Sequence, residues 1–419
     1  MKNPTKSSEG LVLIFSILAG VFTMGTFYRM STAVIAPDLA ADLRLNAEQL
    51  GMLGGAVFYP FALLQIPTGP MLDRIGPRLV ISSCAVIMAL ATFLFAGAHS
   101  FSVALVARGL MGLGMAPLLM GSLKVYTVRF PANKFATLMG LILCIGTLGN
   151  FLAYSPLAYL TASIGWRTCF VVAGVINSIL ALLTFWVLAD PSPPSQKAPS
   201  EASRAGTTIG IRESARILLG SLSFWQISAM SLFRYGTVMS LQTLWLGLYL
   251  MDARGYTPVQ AGNLLLLLAL GNAIGNPIAG RLSDKTFRSR KWVTIWGTSV
   301  YCISLLPYTG VFTVESTLVL AALIFLTGLF NSFGNVVFSH ARELYPLPIA
   351  GTAFAWINFF TVAGGALFLP VLGNIIESFP RTGRHYPPEA YELAFMICFI
   401  SMAAGLLFYV FSKKESMPH

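Results

Sequence analysis

Apolar runs interrupted by short polar stretches organise the chain from end to end. Twelve runs reach spanning length, at 11–36, 49–72, 79–98, 101–128, 135–162, 168–189, 222–251, 258–280, 292–314, 316–339, 350–376 and 393–412. A bilayer core of about 30 Å takes about 20 helical residues, so each run is predicted to be a transmembrane helix. Only Glu315 and its neighbours separate the ninth run from the tenth, and the tenth has a pattern that continues past Glu343. One long polar interruption, 190–210 (DPSPPSQKAPSEASRAGTTIG), is rich in Pro, Ser and Ala and divides six runs from six. It reads as a flexible linker. At 211–220 (IRESARILLG) comes the pattern of a short amphipathic helix. The expected domains are a six-helix bundle over 1–189, a cytoplasmic linker over 190–221 and a second six-helix bundle over 222–419.

The two bundles repeat each other. Gln49-Leu-Gly51 opens the second run and Gln260-Ala-Gly262 opens the eighth. Gly51 to Asp73 and Gly262 to Asp284 are both steps of 22 residues. Each Asp follows a glycine by four (Gly69, Gly280) and precedes a basic residue (Arg74, Lys285). The fold class is therefore an all-α membrane protein of twelve transmembrane helices in two pseudo-symmetric six-helix bundles, with a substrate site expected near the midplane.

Composition agrees: 56% of residues are hydrophobic and 10% charged, against about 25% charged in soluble domains. The first run follows Lys2 and Lys6 as a signal peptide would, but it is too long and has no clear small-residue cleavage site, so it reads as a span. Placing both termini in the cytoplasm puts eighteen lysines and arginines inside and five outside, the bias that orients membrane proteins. Cytoplasmic loops thus account for the net charge of +11, and no nucleic-acid partner is implied. The cysteines (Cys84, Cys144, Cys169, Cys302, Cys398) lie in spans without metal-ligand spacing and read as packing residues. There is no nucleotide-binding glycine loop and no catalytic triad. The expectation is a transporter without cofactor, not an enzyme, working as a monomer in a bacterial inner membrane.

Charge inside the spans is the main chemical signal. Four basic residues fall there, Arg29, Arg108, Lys124 and Arg234, and no acidic ones. A guanidinium in a bilayer costs about 2.5–3.5 kcal/mol on insertion scales and cannot escape by losing its proton. It is tolerated where it faces a wet cavity. Without membrane carboxylates the counter-ion is the cargo, and arginine binds carboxylate or phosphate through two parallel hydrogen bonds. Arg29 and Arg234 are the candidate anion clamp. Gln242 and Trp245 lie close to the face of Arg234 at helical spacing, suited to a substrate hydroxyl or carbonyl and to its carbon body. Lys124 has two readings, a substrate-path residue or a lysine reaching for the interface near Arg129. Asn335, Trp356 and Asn358 read as interhelical hydrogen-bonding residues. His340 with Glu343 is a candidate proton-coupling pair, with a plain surface histidine as the alternative.

The loop Gly69-Pro-Met-Leu-Asp73-Arg74-Ile-Gly76-Pro-Arg78 resembles the signature between spans 2 and 3 of the major facilitator superfamily. Gly280-Arg-Leu-Ser-Asp284-Lys285 is similar to its repeat between spans 8 and 9. The resemblance implies the major facilitator fold. It fits a gating role for Asp73, Arg74, Arg78 and Asp284: an Asp at a helix C-terminus opposes the dipole and needs a partner, which can engage as the cytoplasmic side closes. Leu105-Val-Ala-Arg108-Gly-Leu-Met-Gly112-Leu-Gly114 resembles the superfamily's fourth-span motif, whose arginine is linked to proton transfer in exporters. No carboxylate partner for Arg108 is evident, and a structural role competes.

Tyr28-Arg29-Met-Ser-Thr-Ala-Val-Ile-Ala-Pro37 and Phe233-Arg234-Tyr235-Gly236 are similar to the first and seventh spans of the organophosphate:phosphate antiporters. His340-Ala-Arg-Glu343-Leu-Tyr-Pro346 continues the likeness. The resemblance implies that Arg29 and Arg234, with Tyr28 beside the first, hold an anion. It also implies a coupling ion, proton or phosphate. Gln65 aligns with a cavity lysine of the glycerol-3-phosphate transporter, so the charge pattern departs there. The function expected is secondary active transport of a small organic anion, phosphorylated or carboxylated, by alternating access. The alternatives are a proton-coupled exporter of drugs or metabolites and a transporter-like anion-sensing receptor.

Overall fold

The computed structural model describes residues 8–131, 134–188, 216–312, 314–345, 347–381 and 385–413, and the described residues contain helices and no strand. Among the described residues ten helices are long and apolar enough to cross a membrane. They match the expected spans except the seventh and ninth. The seventh runs as Leu222–Ser240, a π-helical stretch Leu241–Trp245 and Leu246–Asp252. The ninth is Arg290–Ser304, leading into a 3-10 turn at Leu306–Tyr308. Gln226, Arg234 and Gln242 dilute the hydropathy of the seventh, and the π turn divides it. Most of the expected linker, 190–215, lies outside the described residues, as do Lys2, Lys6 and Pro346.

Several spans are broken, two of them beside a proline. The first consists of Ser8–Met30 and Thr32–Leu43, and so runs beyond the predicted end at 36. It stops at Arg44, in the left-handed region with φ 54°. The fourth divides into Phe101–Met115 and Leu118–Arg129 around Pro117. The fifth divides into Phe135–Leu152 and Ser155–Ile164, with Pro156 opening the second piece. The tenth passes through a 3-10 stretch, Ser332–Val336, into Val337–Leu344, and includes Glu343 as its pattern suggests.

By packing, the chain forms two compact units. One holds Met1–Pro191 together with Leu241–Leu266 and Leu369–Glu377; the other holds Ser192–Ser240, Leu267–Phe368 and Ser378–His419. The chain passes from the second unit to the first at Leu241, where the π-helical stretch begins.

The repeated Gln-x-Gly motif has a physical explanation inside the first unit. Asn46 accepts from the Gln49 backbone N–H at 2.8 Å, and the Gln49 side chain accepts from the Asn46 N–H at 3.1 Å. Thr257 and Gln260 make the same reciprocal pair at 3.3 and 2.9 Å. Both are capping boxes that satisfy the unpaired N–H groups of a helix start. The glycine two residues on then permits backbone contact. A Cβ at Gly51 would strike the Leu369 carbonyl, and one at Gly262 would strike Ser155. Trp245 donates from Nε1 to the Leu369 carbonyl at 3.1 Å, and Glu377 accepts from the Ala47 N–H at 2.9 Å. Pro37 leaves the Ala33 carbonyl without a helical donor, and Gly247 rests against that oxygen. The end of this unit remote from the Asp73 loop is therefore packed backbone to backbone.

Candidate substrate site and gates

Arg29 stands one residue before the end of the helix Ser8–Met30. Its side chain is half-buried, its Nε is buried without a partner, and it makes no hydrogen bond or ion pair among the described residues. Tyr28, one helical step away, turns inward instead. It is fully buried, donates its hydroxyl to the Ala173 carbonyl at 3.0 Å, and packs against Phe27 and Phe170. Gln65 is half-buried; its Nε2 reaches the Ala116 carbonyl at 3.5 Å and its Oε1 is buried without a partner.

Arg108 holds two helix breaks together. Its Nη1 donates to the Tyr28 carbonyl at 2.7 Å and its Nε to the Leu53 carbonyl at 3.3 Å. Tyr28 precedes the break at Ser31, and Leu53 lies four residues before the break at Val57. Both carbonyls sit where helical bonding is disturbed, and a donor-only guanidinium suits them. One turn on, Gly112 meets the Val57 backbone, and Gly114 meets Cys84 and Met88. This is a structural use of the fourth-span motif.

Arg234 differs from Arg29. It is 2% exposed and held by neutral amides. Nη1 donates to the Asn331 side chain at 3.1 Å and to its backbone carbonyl at 3.2 Å, and Nη2 donates to Asn335 Oδ1 at 2.9 Å. Its Nε is buried without a hydrogen bond, and the side chain lies on Gly334, where a Cβ would overlap it. Asn331 is not among the residues expected at the site, and neither are Asn272 and Asn276, to which the ladder extends. The missed signal is two asparagine pairs at i, i+4 on the eighth and tenth spans.

Gln242 and Trp245 lie on the π-helical stretch of the first unit and are 2% and 0% exposed. The Gln242 backbone carbonyl accepts from the Tyr154 hydroxyl at 3.2 Å. The Trp245 ring is enclosed and its N–H is used on Leu369. The π turn adds a residue to the helix and rotates the positions after it about the axis, so a count at 3.6 residues per turn does not carry through Leu241–Trp245.

The two loops with the repeated Asp solve their dipole problem differently. Lys124 pairs with Asp73 and donates to the Leu72 carbonyl at 2.8 Å. Its cation thus offsets both the carboxylate and the C-terminal carbonyls of Phe58–Arg74, which places Lys124 at the loop. Arg78 bonds the Phe185 carbonyl at 2.9 Å and lies 4.3 Å from that ring's centre, capping the helix Trp166–Val187. Arg74 is exposed. Asp284 sits in a π-helical turn, Leu282–Thr286, and pairs with Arg290, which also donates to Glu343 at 2.9 Å and to Ser283 at 2.9 Å. Arg290 thus bridges two carboxylates.

His340 is buried, not at the surface: Nδ1 meets the Tyr409 hydroxyl at 2.7 Å and Nε2 the Lys413 carbonyl at 3.1 Å. The candidate pair thus separates, since Glu343 turns to Arg290 and His340 to the last helix. Among the described residues no cluster of His, Cys, Asp and Glu suits a metal ion.

Known proteins resemble this chain along its length. A probable sulfoacetate transporter of Cupriavidus necator is 25% identical over 414 residues, 94% of this chain and 92% of the relative. The hexuronate transporter of Bacillus subtilis is 24% identical over 369 residues, covering 87% and 80%. A probable L-galactonate transporter of Escherichia coli is 24% identical over 410 residues, covering 92% and 86%. In structure, the chain matches a bacterial homologue of the human lysosomal transporter Spinster, solved in an inward-facing and unoccupied conformation. The TM-score is 0.82 at 19% identity, with 97% of each chain covered. The sequence profile of the Major Facilitator Superfamily matches residues 17–286 and 229–419. With helical bundles, capping-box repeats and the two Asp loops in place, the chain belongs to the Major Facilitator Superfamily.

Proposed function

We infer that this protein is a secondary active transporter of a small organic anion, carboxylate before phosphate ester, in which Arg29 contacts the anionic group. The observation that carries this is the state of Arg29. It is a guanidinium in an apolar span, with no carboxylate or amide partner among the described residues. A charge in such a place requires a counter-ion, and a bound carboxylate supplies one through two parallel hydrogen bonds. The relatives described above are named as transporters, two of them probable, of sulfoacetate, hexuronate and L-galactonate, which favours carboxylate, and the neutral Gln65 argues in the same direction. The phosphate-ester reading rests on the likeness of Tyr28–Pro37 and Phe233–Gly236 to the organophosphate antiporters and stands second. Arg234 contributes a second positive centre, already oriented by Asn331 and Asn335. Alternating access is gated at the two Asp loops, where Asp73 pairs with Lys124 and Asp284 with Arg290. The protein works as a monomer in a bacterial inner membrane with both termini cytoplasmic.

The test is counterflow in proteoliposomes with sugar acids, dicarboxylates and phosphate esters. Carboxylates are expected to exchange, and Arg29→Lys to lower their transport about 10- to 100-fold, the value of a charge-assisted hydrogen bond, with unchanged yield of folded protein. Wild-type rates in Arg29→Lys would overturn the assignment, and exchange of phosphate esters alone would reverse the order of the two readings.

A further inference from the structure

The amides behind Arg234 form a ladder with a defined direction. Arginine only donates, so the Oδ1 atoms of Asn331 and Asn335 must face it, which turns both Nδ2 groups the other way. They donate to Asn272 Oδ1 at 3.0 Å and to Asn276 Oδ1 at 2.8 Å. Asn276 Nδ2 then closes the ladder on the Asn272 carbonyl at 2.8 Å. One cation thereby fixes the orientation of four amides, which would otherwise be free to flip.

Glycines set the separation of the two helices. A Cβ at Gly271 would collide with the Phe325 carbonyl, at Gly275 with the Leu329 carbonyl, and at Gly328 with the Leu268 carbonyl. Each of Gly271 and Gly275 precedes a ladder asparagine by one residue, so the close approach brings the short amide side chains into register.

The outer rung is open. Asn276 and Asn335 are both exposed, while Asn331 is buried. On the helix Pro258–Arg281, Leu270, Ile274 and Ile278 form an exposed apolar stripe. At about 100° per residue, Asn276 points roughly 160–200° away from Ile274 and Ile278. The stripe suits lipid; an amide exposed on the opposite face suits water or cargo. Each rung amide has used one hydrogen and one lone pair internally, so this edge offers a spare N–H from each residue beside a carbonyl oxygen that still accepts. A hydroxyl group both donates and accepts and can use the two together. A bare methylene can use neither.

We propose that Asn276 and Asn335, on the ladder that Arg234 orients within the second unit, form a hydroxyl-reading edge, selecting hydroxylated carboxylates over equally long carboxylates without hydroxyls. This rests on the anion reading above, to which it adds the group recognised beyond the charge. Arg234 has two roles in it: a positive centre, and the donor that orients the ladder.

The experiment compares D-glucarate with adipate, which has the same carbon chain and both carboxylates but no hydroxyls. Binding is read by ligand-induced thermal stabilisation of the purified full chain, and transport by counterflow. The wild type is expected to prefer glucarate by at least about tenfold, since a site built to bond a hydroxyl rejects the analogue lacking it. Asn276→Ala is expected to bring the two ligands within about twofold, by weakening glucarate while adipate is unchanged. Asn276→Ser, which keeps a donor and an acceptor on a shorter side chain, should retain part of the preference and guards against a folding defect. Equal binding of the two ligands by the wild type overturns the proposal while leaving the anion reading standing. Equal weakening of both by Asn276→Ala overturns it too, since a purely structural ladder would act that way. Binding of neither ligand by the wild type overturns the hydroxyl-reading proposal, while the anion reading is decided by the counterflow panel of sugar acids, dicarboxylates and phosphate esters.

Discussion

The two span arginines, alike in sequence, are treated in opposite ways by their surroundings. Arg29 is half-buried and makes no hydrogen bond or ion pair among the described residues, whereas Arg234 is enclosed and bonded to two asparagines. Among the described residues neither has a carboxylate on it. Neutral amides fix a guanidinium in place without cancelling its charge, so Arg234 stays cationic while losing the freedom that Arg29 keeps. An acidic partner at either position would have neutralised the field that an anion needs. The first bundle keeps a charge available; the second keeps one oriented.

The loops show the reverse asymmetry. Asp73 pairs with Lys124 from the fourth span, while Asp284 shares Arg290 with Glu343 from the tenth. Where the first bundle supplies a lysine, the second supplies a carboxylate and needs an arginine between. The second loop is thus a three-member network, the first a simple pair with a capped helix end.

The contrast between the arginines is broken most severely at Gly334. Gly334→Ala places a methyl group where the Arg234 side chain lies. Transport is expected to fall at least about tenfold, with a stability loss of about 1–3 kcal/mol from overpacking, measured by counterflow and thermal unfolding. Full activity would mean that the orientation of Arg234 is unimportant. A smaller effect is expected at the first loop. Lys124→Gln removes the partner of Asp73 and should slow exchange several-fold with unchanged binding affinity for the transported acid; a raised dissociation constant with unchanged rate would return Lys124 to the substrate path. The smallest effect belongs to Asp284→Asn. The carboxylate is 59% exposed and Arg290 keeps Glu343, so the stability change should stay within about 1 kcal/mol and shrink as salt is added. A larger, salt-independent loss would show the three-member network to be cooperative.

Much of this is legible in the chain. Isolated charges in apolar runs identify Arg29 and Arg234 because the cost of burying a charge is a property of the residue and its neighbours in sequence. The Gln-x-Gly repeat is visible, though its cause is not: Gln49 and Gln260 close capping boxes, and Gly51 and Gly262 admit another backbone. The partner of Lys124 is hidden, because Asp73 lies 51 residues away in sequence. His340 reads as an interfacial residue, and only packing against Tyr409 shows it enclosed. Counting 3.6 residues per turn places Trp245 on the Arg234 face, a count that the π turn at Leu241–Trp245 invalidates.

Hydropathy, charge bias and the spacing of the two Asp loops determine the spans, their expected orientation and the two arginines, since each depends on the free energy of residues in lipid or at its edge. Which cation is left free and which is bound to amides was decided only by tertiary structure. That outcome depends on Gly271, Gly275 and Gly328 letting two helices touch, and on whether a polar atom finds a partner from a distant span. Such pairing has no signature along the chain, because the atoms that satisfy a buried donor are chosen by packing.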